Sequence, residues 1–507
     1  MDASTYHNLT SYSRHAMTPH RLDWGHVPLL QKAYSPLPSM SLRPPETLPD
    51  GSLTDVFLGN NAGDLPPPSL DFKNLSAILM LANGVTAKRR YGNQTQSYRS
   101  APSAGALYPN EIYVAAGIVE GLVPGLYNYQ VMDASLVALR QGGQILQEAG
   151  STLTSGSGHV PAASLLITGI FFRSAWKYRA RAFRYVLLDA GHLIENLVLA
   201  ASAYGYAYSV HYDFDDDDAG HLLGIDGKRE ACLAIINLYS EGGESHRVPA
   251  GLKPDLQALG EDLVDASRTS PAEIPYEAIQ QVCTAGKTIQ PGVTREKHSY
   301  LVVGEMPQTW FSIHKAGVCA DKQSFVKSVL QRRSRRNFVP APLPTAHALQ
   351  LVQSLCKSHV QTGDEGLTYG GCMTPGFVAV NIEAFDPGIY LMNTQEKAYG
   401  LVAGQASGEK VAQVCLDQEW LKNGSLHFLF MANLPLIDLH LGARGYRYAM
   451  LNAGRAGQRI YLAATALGCG ACGIGALYDD EARQWLSLND ESALLYLVAV
   501  GVTKSEF

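Results

Sequence analysis

Four segments hold residue types that could do chemistry. Arg332-Arg333-Ser334-Arg335-Arg336 sets four guanidiniums and one hydroxyl in five successive residues. Such a run can hold a phosphate through forked, charge-assisted hydrogen bonds, or can be a solvated basic turn. Pro102-Ser103-Ala104-Gly105, inside RSAPSAGALYP, is small enough for backbone N–H groups and the Ser103 hydroxyl to approach a planar ligand closely. Gly470-Ala471-Cys472-Gly473, inside ALGCGACGIG, offers the same close approach. Lys177-Tyr178 could supply a base near neutral pH, as a desolvated lysine or as a tyrosine beside a cation, or could be a surface pair at a helix end.

Other clusters carry less. Cys469 and Cys472 form a lone C-x-x-C without a second pair, which is weak for zinc. Asp213, Asp215, Asp216, Asp217 and Asp218 lack the glycine turn and bidentate glutamate spacing of a calcium loop, and read as a solvated helix start. His192 and His211 read as core or pocket histidines. No metal site is expected.

The elements that must position these residues are legible. FKNLSAILMLANGV is a helical pattern closed at Asn83-Gly84, EIYVAAGIV is β-prone, and PGLYNY is a turn followed by a short strand. Residues 162–172 and the run ACLAIINLY read as strands. RARAFRYVLLDAGHLIENLVLAASAYGY reads as a long helix, buried on most sides. These elements divide the chain into an irregular N-terminal arm (1–50), a first domain (51–240), a Pro- and Gly-punctuated connection (241–325) and a second domain (326–507).

The decisive pattern is an internal repeat. Pro124-Gly125-Leu126-Tyr127 matches Pro387-Gly388-Ile389-Tyr390, and ARAFRYVLLDAG from Ala180 matches ARGYRYAMLNAG from Ala443, both at a shift of 263 residues (387 − 124, 443 − 180). A period this long implies two fused copies of one domain, a covalent mimic of a two-fold dimer. The chemical segments are split between the copies. The first half keeps PSAG and Lys177-Tyr178, where the second has LTYGGCMTPGFVAV and His440-Leu441. The second keeps RRSRR and the glycine-rich loop. The first has SLTDVFLGNNAGDLPPPSL, without Lys or Arg, and Ala207, Val210 and Tyr212 opposite Gly470, Gly473 and Gly475. One composite site would draw on both.

Composition narrows the partners. The 507 residues are 46% hydrophobic and 17% charged, with 40 Lys+Arg against 46 Asp+Glu, so a large core is available and no global positive field holds a polyanion. Eight scattered cysteines are not a disulfide scaffold. With no signal-peptide pattern and no uninterrupted apolar span, a cytoplasmic protein without membrane or nucleic-acid partners is expected.

RRSRRNF resembles the RRSxRxF opening of the FMN-dependent nitroreductase superfamily. APSAGALYP, KYRARAFRY and LLDAGHLIENLVLAA resemble its SagB/ThcOx-type dehydrogenases, which oxidise azolines in modified peptides. The resemblance implies an α+β fold, an antiparallel sheet flanked by helices, here as two tandem nitroreductase-like domains forming an intramolecular pseudo-dimer. It implies FMN as cofactor. Arg332, Arg333 and Ser334 would bind its phosphate, with Lys504 as a further contact, and Arg336 would lie near the ribityl chain and pyrimidine edge. Pro102, Ser103, Ala104 and Gly105 would contact the isoalloxazine, and Gly470, Ala471, Cys472 and Gly473 would approach it near N5. Lys177 and Tyr178 match a catalytic pair of the azoline dehydrogenases. The implied substrate is a small molecule or modified peptide and the implied state a monomer. An NAD(P)H-dependent nitroreductase acting on small electron-poor substrates, or a degenerate non-catalytic binding protein, are the alternatives.

Overall fold

The computed structural model describes residues 1–17, 20–34, 37–49, 51–58, 68–92, 94–142, 160–240, 258–289, 302–313, 323–356, 364 and 369–504. Two seven-stranded antiparallel sheets dominate. In spatial order the first runs Ser39–Ser41, Ser135–Gln141, Gly125–Gln130, Asn110–Ala116, Ala163–Ile170, Glu230–Tyr239 and Ala207–His211. The second runs Phe311–Ser312, Ala398–Gly404, Gly388–Asn393, Thr374–Ala379, Leu426–Asn433, Ser492–Gly501 and Gly470–Ile474. The repeat is therefore structural. Gly125–Gln130, Ala163–Ile170 and the helix Ala182–Ala203 recur as Gly388–Asn393, Leu426–Asn433 and Gly445–Ala466, each displaced by 263 residues (388 − 125). The expected α+β fold with two tandem halves holds.

Local sequence explains the elements. Phe72–Asn83 starts at Asp71, whose side chain accepts from the Asn74 N–H, and stops at Gly84. Phe171 and Phe172, expected to extend the strand, instead open the short helix Phe171–Tyr178 that carries the Lys-Tyr pair. The N-terminal arm is less irregular than expected. Asp2 caps a helix at Ala3–Leu9, and Ser39–Ser41 adds an edge strand to the first sheet. The connection contains the helices Glu261–Asp265 and Glu277–Ala285, and its Phe311–Ser312 edges the second sheet; much of the rest of 241–325 lies outside the described residues.

The two long helices pack on each other between the sheets, and one hydrophobic core runs through both halves. Their crossing is set by two glycines that the repeat makes equivalent. A Cβ on Gly191 would lie 2.2 Å from the Leu451 carbonyl oxygen, and one on Gly454 would lie 2.2 Å from that of Leu188. Only hydrogen at both positions lets the backbones meet. Gly454→Ala should therefore push the halves apart, with a loss of ~1–3 kcal/mol or more, read as a lower urea midpoint. An unchanged midpoint would mean the helices can separate freely.

Isologous ion pairs flank the crossing. Arg181 and Arg184 of the first half donate to Asp479 of the second, each at 2.7 Å. Their counterparts Arg444 and Arg447 donate to Asp216 of the first half. Asp215 does cap the helix Asp216–Leu223, but Asp216 is buried in this pairing rather than solvated, because the partner half brings two guanidiniums onto it. The Phe171–Ala203 stretch is long and apolar enough to cross a membrane, yet 94% of its apolar window is buried inside the fold.

Candidate functional site

The arginine segment lies along the edge of the glycine-rich strand. Ser334 bridges Ala471 in parallel, the Arg335 N–H donates to the Ala471 carbonyl at 2.8 Å, and Phe338 bridges Thr503. Gly470 is packed tightly there, since a Cβ would fall 2.3 Å from Thr503 and 2.9 Å from Arg335. Gly473 and Gly475 let the strand approach the neighbouring rings. A Cβ would lie 1.8 Å from the Tyr496 hydroxyl at Gly473 and 2.6 Å from the Tyr185 ring at Gly475.

A cleft of about 170 Å³ opens where this strand faces the first half. Pro102, Ser103, Ala104, Gly105 and Tyr178 line it from one half, and Ser334, Arg336, Cys472 and Gly473 from the other. Gly105 (φ 66°) turns its missing side chain to the Lys-Tyr pair: a Cβ would be 2.9 Å from the Tyr178 hydroxyl and 3.3 Å from Lys177 Nζ. Burial, followed by the charge of Arg336, lowers the Lys177 pKa. Burial, with Tyr185 and Asp189, pushes Tyr178 well above the usual phenol range. The pair is thus split into a lysine that loses its proton more readily and a tyrosine that keeps its own, so of the two only Lys177 suits a base.

Other expected residues lie outside the lining. Arg332 donates to the first-half carbonyls of Ser100 (2.6 Å) and Arg99 (3.0 Å), and Arg333 donates to the Thr86 hydroxyl and carbonyl. Both therefore bind the halves together. Gly470 and Ala471 sit in the strand behind the cleft, and Lys504 is exposed with its backbone N–H on the Asn337 carbonyl. A larger cavity of about 550 Å³ lies by the first turns of the Phe171–Tyr178 helix and contains none of the expected residues.

The sequence reading missed Asp189, Tyr185, Tyr461 and Tyr496, and gave His192 no role. All five line the cleft. Asn196 Nδ2 donates to the Ala82 carbonyl, Gln458 Nε2 donates to Asn196 Oδ1, and His192 Nδ1 faces Gln458 Oε1 at 2.9 Å. Burial lowers His192 to a pKa of about 3, so the ring is neutral, Nδ1 carries the proton, and Nε2 accepts from the Tyr496 hydroxyl at 2.9 Å. The signal for Asp189 was available: the repeat places Asn452 opposite it.

At the symmetry-related place side chains fill the space. Tyr212 stands where Gly475 does, its ring stacked on Tyr448, the counterpart of Tyr185, at 5.8 Å and 14°. Arg455, the counterpart of His192, forks onto Asp364 with two 2.8 Å bonds and also binds Glu195 at 2.8 Å. The counterpart of PSAG, with Leu367 and Thr368, lies outside the described residues.

Tandem antiparallel sheets, a helix pair between them and a cleft shared by both halves define a duplicated α+β fold. The Nitroreductase family matches residues 65–238 and 387–502, one block in each half, and the chain belongs to that family. A nitroreductase-like protein of Methanocaldococcus jannaschii is 25% identical over 170 residues, 33% of this chain and 86% of its own length. The trifolitoxin-processing protein TfxB of Rhizobium leguminosarum bv. trifolii is 29% identical over 211 residues, 39% of this chain and 57% of TfxB. The microcin B17-processing protein McbC of Escherichia coli is 26% identical over 142 residues, 27% of this chain and 52% of McbC. The matches thus span about half the length of these two processing proteins. The crystal structure of a nitroreductase-like protein from Anabaena variabilis covers 99% of this chain and 100% of its own, with a TM-score of 0.76 at 23% identity, which shows a shared tandem fold.

Proposed function

We propose that this chain is a cytoplasmic FMN-dependent dehydrogenase with one composite flavin site between its halves, and that it oxidises azoline-like rings in small molecules or modified peptides. The observation that carries this reading is the cleft itself, where PSAG and Tyr178 of one half meet Ser334, Arg336 and Gly473 of the other. Similarity to two peptide-processing proteins supports the substrate class.

The residues present fit a flavin. Arg332 Nη1 is buried without a hydrogen-bond partner, a cation with a donor to spare at the mouth of the arginine segment. Arg336 and Ser334 face the cleft, and Gly473 and Gly475 line it without side chains. Arg332, Arg336 and Ser334 would hold the cofactor from the second half and Pro102–Gly105 from the first. FMN, when bound, supplies a two-electron acceptor. Lys177 in its neutral form takes the proton that leaves the ring carbon. Tyr178, protonated, donates a hydrogen bond that orients the ring, and the buried walls exclude water.

The expected stoichiometry is one FMN per chain, measured by visible absorbance after saturation and desalting. Arg336→Ala in one half and Ser103→Trp in the other should each reduce it. Two FMN per chain, or loss on mutating one half only, would overturn the composite site.

A further inference from the structure

Asp189 is an acid in an awkward place. It sits mid-way along the Ala182–Ala203 helix, only 7% exposed, and lines the cleft. Among the described residues its carboxylate is not matched by a cation; it is met by neutral donors from one loop. The Ser103 hydroxyl donates to Oδ2 at 2.6 Å, and the Ala104 N–H donates to both oxygens at 3.2 Å. Ser103 Oγ in turn accepts from the Tyr108 N–H at 2.9 Å, so one carboxyl and one hydroxyl organise both ends of the loop.

That loop needs an anchor. Gly105, Ala106 and Tyr108 have φ of 66°, 54° and 45°, and two of the three carry a Cβ that disfavours this region. Such a conformation persists only when its surroundings over-determine it. It is also what lays Gly105 against Tyr178 and Lys177. The repeat supplies a comparison. Asn452, the counterpart of Asp189, keeps the shape without the acid, and its Oδ1 accepts from Tyr212 at the filled, symmetry-related place. The carboxyl belongs to the open cleft.

We propose that Asp189 is the positioning residue of this cleft: its carboxyl anchors the Ser103–Tyr108 loop against Lys177 and Tyr178, and the loop's grip on a bound flavin follows the charge on that carboxyl. This rests on the composite flavin site proposed above. Ser103, which lines the cleft, carries that anchor into the loop by donating its hydroxyl to Asp189.

Burial pushes the Asp189 carboxyl up to about 7, while Ser103 and Ala104 pull it down. The other titratable groups around the cleft are Tyr178, Tyr185 and His192 from the first half, with Lys177 against the loop, and Arg336, Tyr461, Cys472 and Tyr496 from the second. The phenols of Tyr178 and Tyr496 are raised and His192 is lowered, so none of these three titrates between pH 5 and 8. Above pH 7 the ionised carboxyl accepts charge-assisted bonds from both loop donors; below it the grip weakens.

The test compares wild type, Asp189→Asn and Asp189→Ala, with FMN as the probe and flavin fluorescence quenching as the signal. The FMN phosphate titrates alike in all three, so ratios of Kd are read. Asp189→Ala should weaken FMN at least tenfold at pH 6 and at pH 8, with far-UV dichroism unchanged. Asp189→Asn keeps an acceptor for Ser103, and its Kd relative to wild type should rise several-fold from pH 6 to pH 8. A constant ratio, or an alanine variant that binds normally, overturns the proposal.

A second readout is independent of ligand. A buried carboxyl raised from 3.8 to about 7 contributes stability below its unfolded pKa that is lost as pH rises through 7. Asp189→Asn should therefore gain on wild type by about 10³-fold in folding constant between pH 4 and 8, by urea titration. Parallel stability profiles would overturn the buried, uncompensated carboxyl. Failure of wild type to take up FMN at either pH would defeat the flavin reading and the ligand-grip proposal together. The stability profiles then still decide whether Asp189 is the loop's charged anchor.

Discussion

Lys177→Ala is expected to lower oxidation of a thiazoline-containing peptide by ~10²–10⁴-fold, the range of a positioned general base. The flavin spectrum should be unchanged, because the expected FMN contacts lie on other residues. Lys177→Arg should not rescue it, since a guanidinium keeps its proton at any working pH. Burial and Arg336 lower the Lys177 pKa, so the neutral, active form appears at lower pH than for a free lysine. The rate should rise with pH and level off below the usual lysine range. Arg336→Lys keeps the charge, whereas Arg336→Gln removes it and should move that limb to higher pH. Reduction of a nitrofuran by NADH needs no proton abstraction from a ring carbon and should survive Lys177→Ala. If azoline oxidation survives as well, Lys177 is not the base.

Asp479→Ala is expected to cost ~3–5 kcal/mol, the usual penalty for stripping one partner from a buried ion pair. Arg181 and Arg184, each with a side chain 2% exposed, would be left facing an empty position. Asp216→Ala should cost a similar amount through Arg444 and Arg447, because the two sites are related by the internal symmetry. The two arginines hold Asp479 well below the ordinary carboxylate range. With its pKa depressed, its contribution is full above the unfolded value near 4 and is lost as pH falls toward the folded one. Acid unfolding of wild type should thus be steeper than that of Asp479→Ala. A penalty under 1 kcal/mol in urea titration would show that water or a rearranged side chain replaces the carboxylate.

Both predictions rest on residues that the sequence displayed, but with different degrees of clarity. Lys177-Tyr178 and PSAG could be singled out from residue type, and their absence from the other repeat gave them weight. The arginine segment was equally visible, yet Arg333 binds Thr86 across the halves and Arg332 binds the Arg99 and Ser100 carbonyls, with Nη1 alone left for a ligand. No pattern along the chain says which guanidinium will meet a ligand and which a carbonyl. Asp189 looked like one polar residue in an apolar helix. Its importance comes from Ser103 and Ala104, 86 and 85 residues away.

By itself the sequence determined the elements, the duplication and the division of chemical groups between the halves. Periodicity, capping residues and a shift constant at 263 residues are properties of the linear chain. Only the tertiary structure decided how the place that lacks those groups is filled. That depends on volume and burial at one point in space. Gly473 and Gly475 leave a cleft beside Tyr185, while Tyr212 and the Arg455–Asp364–Glu195 cluster fill its counterpart. The burial that lowers Lys177 and raises Asp189 likewise exists only in the folded chain.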